Sequence, residues 1–168
     1  MRRIILLVTV GAVVAATMAL GGVASASSGN SDLAVKKGLA QVRLATAKYH
    51  NVEAAKKAGY VPVSPCVEGM GYHYANMGNL EDGKVGAGGN ARKPEVLLYA
   101  PSANGKLKLV GVEYLVFDTG QARPTLFGEV PFEGPMTHGL PQHYDLHVWT
   151  WKHNPDGIFT AHNPNVRC

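Results

Sequence analysis

Four residues near the C-terminal end of the chain have the types and spacing to do chemistry together. His143, Asp145, His147 and Trp149 stand two apart, so on an extended strand they share one face, while Tyr144, Leu146 and Val148 take the other. Imidazole and carboxylate on one face can hold a transition metal, move a proton or bind a small polar ligand. Geometry limits what this strand does alone. Side chains two apart are ~6.6 Å apart along the backbone and can share an ion, whereas His143 and His147 are ~13 Å apart. An ion on His143 with Asp145, or on Asp145 with His147, therefore needs ligands from elsewhere. Asp145 can also stand behind the ligands and orient an imidazole. The competing reading is a solvated polar face. Against it, Trp149 and Trp151 continue on the same side, and two tryptophans there call for a covering layer or a ligand.

Glu113 is the second candidate. One side of its run reads Val110, Val112, Tyr114, Val116 and the other Leu109, Gly111, Glu113, Leu115. Apolar residues on both sides mark a central, buried strand. A carboxylate there is costly unless it is paired or metal-bound, and burial raises its pKa toward the range a general acid or base requires. Glu113 is thus a metal-ligand candidate and, with His147, a candidate catalytic base; a structural ion pair is the alternative. The third candidate is His73, in Gly69-Met70-Gly71-Tyr72-His73-Tyr74. If 71–76 is a strand, His73 faces opposite both tyrosines. Met77 and the Met136–His138 segment add thioether and imidazole. Thioether with imidazole suits Cu(I), and imidazole with carboxylate suits zinc, manganese or iron. Copper, zinc and iron are the metals expected if one is bound. Tyr114 and Trp149 are expected to wall the pocket, while His50, His153, His162 and the single methionines read as packing or surface residues.

These residues need elements to position them. Val35, Leu39, Val42, Ala45, Tyr49 and Val52 recur at helical steps and predict a helix from about 32 to 57, with Ser31 as its cap and Gly59 just past its end. All ten prolines lie from Pro62 onward. There the chain reads as short strands: 95–100 and 106–117 joined as a hairpin by Pro101 to Gly105, then 142–151, then 71–76. One helix followed by strands predicts an α+β fold, the helix packed on a curved antiparallel sheet or small half-barrel. The loop 76–93 carries Gly86, Gly88 and Gly89 but lacks the Gly-Lys-Ser/Thr of a phosphate-binding turn, and is long enough to act as a lid. Two His-Asn-Pro triplets, at His153 and His162, read as turn punctuation in the tail.

The N-terminus supplies an address. Met1-Arg2-Arg3, an apolar run to about Val23 and Ala24-Ser25-Ala26 are the three parts of a secretory signal peptide. Cleavage after Ala26 is expected, leaving 27–168 as one domain without a membrane span; a retained anchor is the alternative. Removing Arg2 and Arg3 from 16 basic side chains against 12 acidic ones lowers the formal charge from +4 to +2. Lys36-Lys37 and Lys56-Lys57 then read as a solvated helix face, and nucleic acid is not the expected partner. Cys66 and Cys168, the two cysteines, are expected to form one disulfide in an oxidising compartment. The sequence holds no Gly-x-Ser-x-Gly elbow, Rossmann fingerprint or His-Glu-x-x-His helix. A Ser–His–Asp enzyme would have to use Ser64 or Ser102, each next to a proline.

The blocks Gly69 to Tyr74, Pro94 to Tyr99, Leu109 to Tyr114 and His143 to Trp149, with Asn154-Pro155-Asp156-Gly157 and the terminal Asn163 to Cys168, resemble a family of uncharacterised secreted bacterial proteins. The likeness implies an exported bacterial domain and carries no catalytic role. The leading expectation is a secreted or envelope protein whose His73, Glu113, His143, Asp145 and His147 bind a transition metal or small polar ligand. An enzyme using Glu113 or His147, and a non-catalytic interaction protein, are the alternatives.

Overall fold

A computed structural model describes residues 23–86 and 88–168. Residues 1–22 of the expected export segment lie outside the described residues, and Val23 to Ala26 form the first turn of a helix. That helix, α1 (Val23–Thr46), passes into a 3-10 turn at Ala47–His50 and then into α2 (Val52–Lys57). The expected single helix is therefore broken at Asn51, whose side chain accepts from the Glu53 amide and starts α2 afresh. Ser31 is not a cap, because α1 runs straight through it. Gly59 does take the left-handed conformation after α2. All four paired lysines are exposed, as a solvated face requires.

The strands form an open antiparallel sheet in the order β1-β2-β3-β4-β8-β7. They span Tyr60–Pro62 (β1), Tyr72–Asn76 (β2), Val96–Pro101 (β3), Leu107–Phe117 (β4), Glu133–Met136 (β7) and His143–Val148 (β8). A small hairpin, β5 (Thr125–Leu126) with β6 (Val130–Pro131), stands apart from it. A four-residue helix, α3 (Met77–Leu80), follows β2. The predicted hairpin is β3–β4, and β4 is the buried interior strand its apolar faces implied. Sequence patterning missed β1 and β7, which carry proline and lie at the two edges, where a missing N–H costs no ladder bond.

Both sheet faces are covered. On one, α1, the 3-10 turn and α2 place Val42, Tyr49 and Ala55 on Leu97, Tyr99, Val112 and Leu146. On the other, the C-terminal tail lays Val166 and Ile158 on Val96, Leu98, Leu115 and Trp149. The tail is fixed along its length. The Trp149 amide donates to Ile158, the Asn163 amide to Gly69, and the Gly69 amide to Val166. The two His-Asn-Pro triplets clamp one another: Asn154 Nδ2 donates to the His162 carbonyl at 2.8 Å, and Asn163 Nδ2 to the His153 carbonyl at 3.2 Å. The Cys66–Cys168 disulfide, spanning 102 residues, closes the arrangement. In a chain-entropy account a loop of that length is worth ~4–5 kcal/mol.

Two glycines permit the close approaches. Gly71 has φ +85°, and a Cβ there would stand 2.3 Å from the Tyr99 carbonyl oxygen. At Gly111 it would meet the Val148 carbonyl at 2.8 Å and the Trp149 ring at 3.2 Å. Strand alternation is interrupted just before Gly111. The β3–β4 register steps from Leu98↔Gly111 to Tyr99↔Leu109, leaving Val110 as an extra residue. Leu109 therefore joins the helix-side core and Val110 the tail side, the reverse of simple alternation.

Candidate metal centre

The tail-side face gathers the candidates. Glu113 on β4 pairs with His147 on β8, and His73 on β2 pairs with Leu98 of β3, so His73 reaches toward Glu113 over the intervening strand. His73 Nε2 lies 3.7 Å from Glu113 Oε2. One ligand atom from each of His73, Glu113 and His147 lies within 4.8 Å of the others. Bonds of ~2.0–2.2 Å to a shared ion would draw the three together. His73 is the only one of the three that is not buried, with a side chain 16% exposed.

The protonation states leave both imidazoles neutral, so that their ring nitrogens can offer lone pairs. Ser64 Oγ donates to the Pro65 carbonyl at 2.8 Å and accepts the His73 backbone amide at 3.1 Å. Ser64 Oγ also meets His73 Nδ1, 2.9 Å away, and so anchors the ring through that nitrogen. With Ser64 donating to Pro65, the Nδ1 proton completes this bond and leaves Nε2 with its lone pair on the Glu113 side, as in a metal-binding histidine. Burial, and to a lesser degree His138, pushes His73 down to about 4. Burial, then the nearby His73, His162 and His138, pushes His147 down to about 3. Glu113 is raised well above the carboxylate range, first by burial and then by Asp145 and Glu95. The 3.7 Å contact is thus no ion pair: imidazole and carboxyl are both neutral, too far apart to hydrogen-bond. A cation entering there would replace the Glu113 proton.

His147 is the least satisfied group. It is 3% exposed, and neither ring nitrogen has a hydrogen-bond partner. Its Nδ1 lies 4.0 Å from Asp145 Oδ1, itself buried and unpartnered. Among the described residues, six buried side-chain nitrogen or oxygen atoms lack a partner, and four belong to His143, Asp145 and His147. Since each such atom costs ~1–3 kcal/mol, their concentration on one strand marks a site for something that is polar or charged.

The remaining predicted residues divide. His143, Asp145 and His147 share one face of β8, as their spacing required, but His143 lies farther along the strand, opposite Phe117. Trp149 does wall the site: its ring stacks on His147 at 6.0 Å, and its Nε1 donates to the Thr160 carbonyl. Tyr114 does not. It alternates to the helix side, where its ring packs on Phe127 and its hydroxyl donates to Ala91. Trp151 also departs from the expected face, because β8 ends at Val148 and the Trp151 and Lys152 amides both turn to the Val110 carbonyl. Its ring meets His50 and its Nε1 donates to Thr46. The loop 76–93 divides between the two faces: Leu80 joins the tail-side cluster, while Val85 and Ala91 pack on the helix-side core. Ser64 was legible only as an implausible nucleophile; its work on the His73 tautomer had no signal in the sequence.

Two open clefts, of about 540 Å³ and 340 Å³, are lined by residues such as Lys108, Trp151 and Lys152, and by Arg43 and Ile158. Neither is lined by His73, Glu113 or His147. The chain matches no known family model, no curated protein and no solved structure. Its chemistry must be read from its own geometry.

Proposed function

We propose that this is an exported domain that binds a divalent transition metal, zinc or iron(II), through His73, Glu113 and His147. The observation that carries the reading is His147: a buried imidazole with both nitrogens unpartnered, held beside Glu113 and a His73 ring anchored by Ser64. Two imidazoles and one carboxylate suit zinc and iron(II), whereas Cu(I) prefers softer thioether or thiolate ligands. The three ligand atoms lie within 4.8 Å of one another, a span that a single ion can bridge. Export is supported by the basic-apolar-Ala-x-Ala start of the sequence, the disulfide, and the resemblance to secreted bacterial proteins. Among the described residues no helix is long and apolar enough to cross a membrane.

The partial exposure of His73 favours a catalytic variant of the same reading. Three protein ligands leave an ion with an open position, and a water held there is activated by the charge. Glu113 and His147 then act as ligands rather than as bases.

Elemental analysis of the exported, disulfide-intact protein tests the proposal. Zinc or iron should be present at one equivalent or more per chain, and Glu113→Gln should remove an equivalent while the fold persists. A metal-free protein that gains no thermal stability from added zinc, iron(II) or copper overturns it.

A further inference from the structure

The unpartnered atoms of β8 do not stop at His147. His143 is wholly buried, and its Nδ1 lies 2.8 Å from the Pro141 carbonyl, which can only accept. The Nδ1 proton is therefore fixed, and Nε2 carries a lone pair that is buried and has no partner. Asp145 is 2% exposed, with Oδ1 equally unpartnered. The edge strand β7 pairs along this stretch, Met136 with His143 and Glu133 with Asp145. Two residues past Met136, in the turn that returns the chain to β8, stands His138. Its ring lies 5.1 Å from that of His143, centroid to centroid. One ligand atom from each of His138, His143 and Asp145 lies within 4.8 Å of the other two.

We infer that His138, His143 and Asp145 form a second divalent-metal site, again two imidazoles and a carboxylate, next to the first. The two ligand sets meet where Asp145 Oδ1 lies 4.0 Å from His147 Nδ1. Satisfaction of buried groups supports the assignment. An ion at the first centre leaves His143 Nε2 unmatched, because His143 is ~13 Å along the strand from His147. A second ion matches it. The two sites differ in access. His138 is exposed while His143 and Asp145 are buried, so the second ion has a ligand at the surface through which to enter and leave. The first is reached only through the partly exposed His73. The second site therefore exchanges its ion faster and binds it more weakly.

This inference uses residues that the first centre does not need, and one experiment separates the two. Metal-free, disulfide-intact protein is titrated with zinc alone by calorimetry, and zinc is counted after desalting, for the wild type, His138→Ala and Glu113→Gln. His138 is exposed, so its replacement leaves the core intact, and circular dichroism confirms the fold of each variant. His143→Gln, which keeps a hydrogen-bonding side chain, provides a second variant. The expected result is two zinc ions in the wild type and one in each variant, with the weaker binding event missing in His138→Ala and His143→Gln. A single zinc ion in the wild type that survives His138→Ala and is lost in Glu113→Gln overturns the second site and leaves the first. A single ion lost in His138→Ala and kept in Glu113→Gln supports the second site and overturns the first. No zinc in any protein overturns both.

Discussion

The two faces of this sheet treat buried polar groups in opposite ways. On the helix side, Tyr60, Tyr99 and Tyr114 are buried, and each hydroxyl donates to a backbone carbonyl, of Pro94, Tyr49 and Ala91 respectively. These bonds serve the fold, tying the 3-10 turn and the glycine loop to the strands. On the tail side, His143, Asp145 and His147 are just as buried and leave four atoms unmatched. A single β-strand supplies Leu146 to one environment and His147 to the other. Burial is thus a poor guide to role. What distinguishes structural from functional polarity here is whether the buried donors and acceptors have been matched by the chain itself. Two further buried atoms lack partners among the described residues: Glu95, which accepts the Leu115 amide with Oε2, leaves Oε1 free, and Thr150 leaves its hydroxyl free just past β8.

The largest expected effect concerns how the two faces are covered. Replacing Cys66 and Cys168 by serine should cost ~4–5 kcal/mol in the chain-entropy account. The loss should be one-sided. Hydrogen exchange should quicken at the Trp149, Asn163 and Val166 amides, whose partners lie in or beside the tail, and stay unchanged along α1. Equal loosening on both faces would show that the tail is not an independent cover.

Next come paired substitutions with opposite signs. In metal-free protein, Glu113→Leu should stabilise the fold by ~1–3 kcal/mol, because it replaces a desolvated carboxyl, buried in the sheet, with an apolar side chain. It should also abolish any stabilisation by zinc. On the helix side, Tyr99→Phe should destabilise by ~1–3 kcal/mol, since the Tyr49 carbonyl loses its donor. Thermal melts read both, and a destabilising Glu113→Leu would mean that Glu113 is a structural group.

The third effect is a pH dependence from Glu95. Burial is the main cause raising its pKa to about 8 from an ordinary 4.5. The folded state therefore holds a proton that the unfolded chain releases. Stability from this group is intact below about pH 4.5, falls as pH rises, and levels off above about pH 8. Glu95→Gln should flatten that slope, as measured by urea unfolding at several pH values. An unchanged slope would place the titration elsewhere.

Much of this was legible in the sequence because period-two spacing survives folding. The shared face of His143, Asp145 and His147, the buried interior strand carrying Glu113, and the turn of His73 away from its tyrosines all follow from alternation. Alternation also explains the failures. Tyr114 neighbours Glu113 in sequence and so cannot share its pocket, while the Val110 bulge reverses Leu109 and Val110 in a way no pattern announces. Trp151 left the expected face because the strand stopped at Val148. The break at Asn51 is a capping event inside an unbroken apolar stripe, where periodicity carries no signal. His138 was legible only as half of a Met136–His138 pair, and Ser64 only as an unsuitable nucleophile. Both lie outside the strands, and only three-dimensional proximity brings His138 to His143 and Ser64 to the His73 ring.

The most direct test of the central claim is anomalous diffraction from crystals of the disulfide-intact protein soaked in zinc and measured at the zinc edge. The account predicts a peak at ~2.0–2.2 Å from His73 Nε2, a Glu113 oxygen and a ring nitrogen of His147. A map without that peak, in which ordered water satisfies the His147 nitrogens, would contradict it.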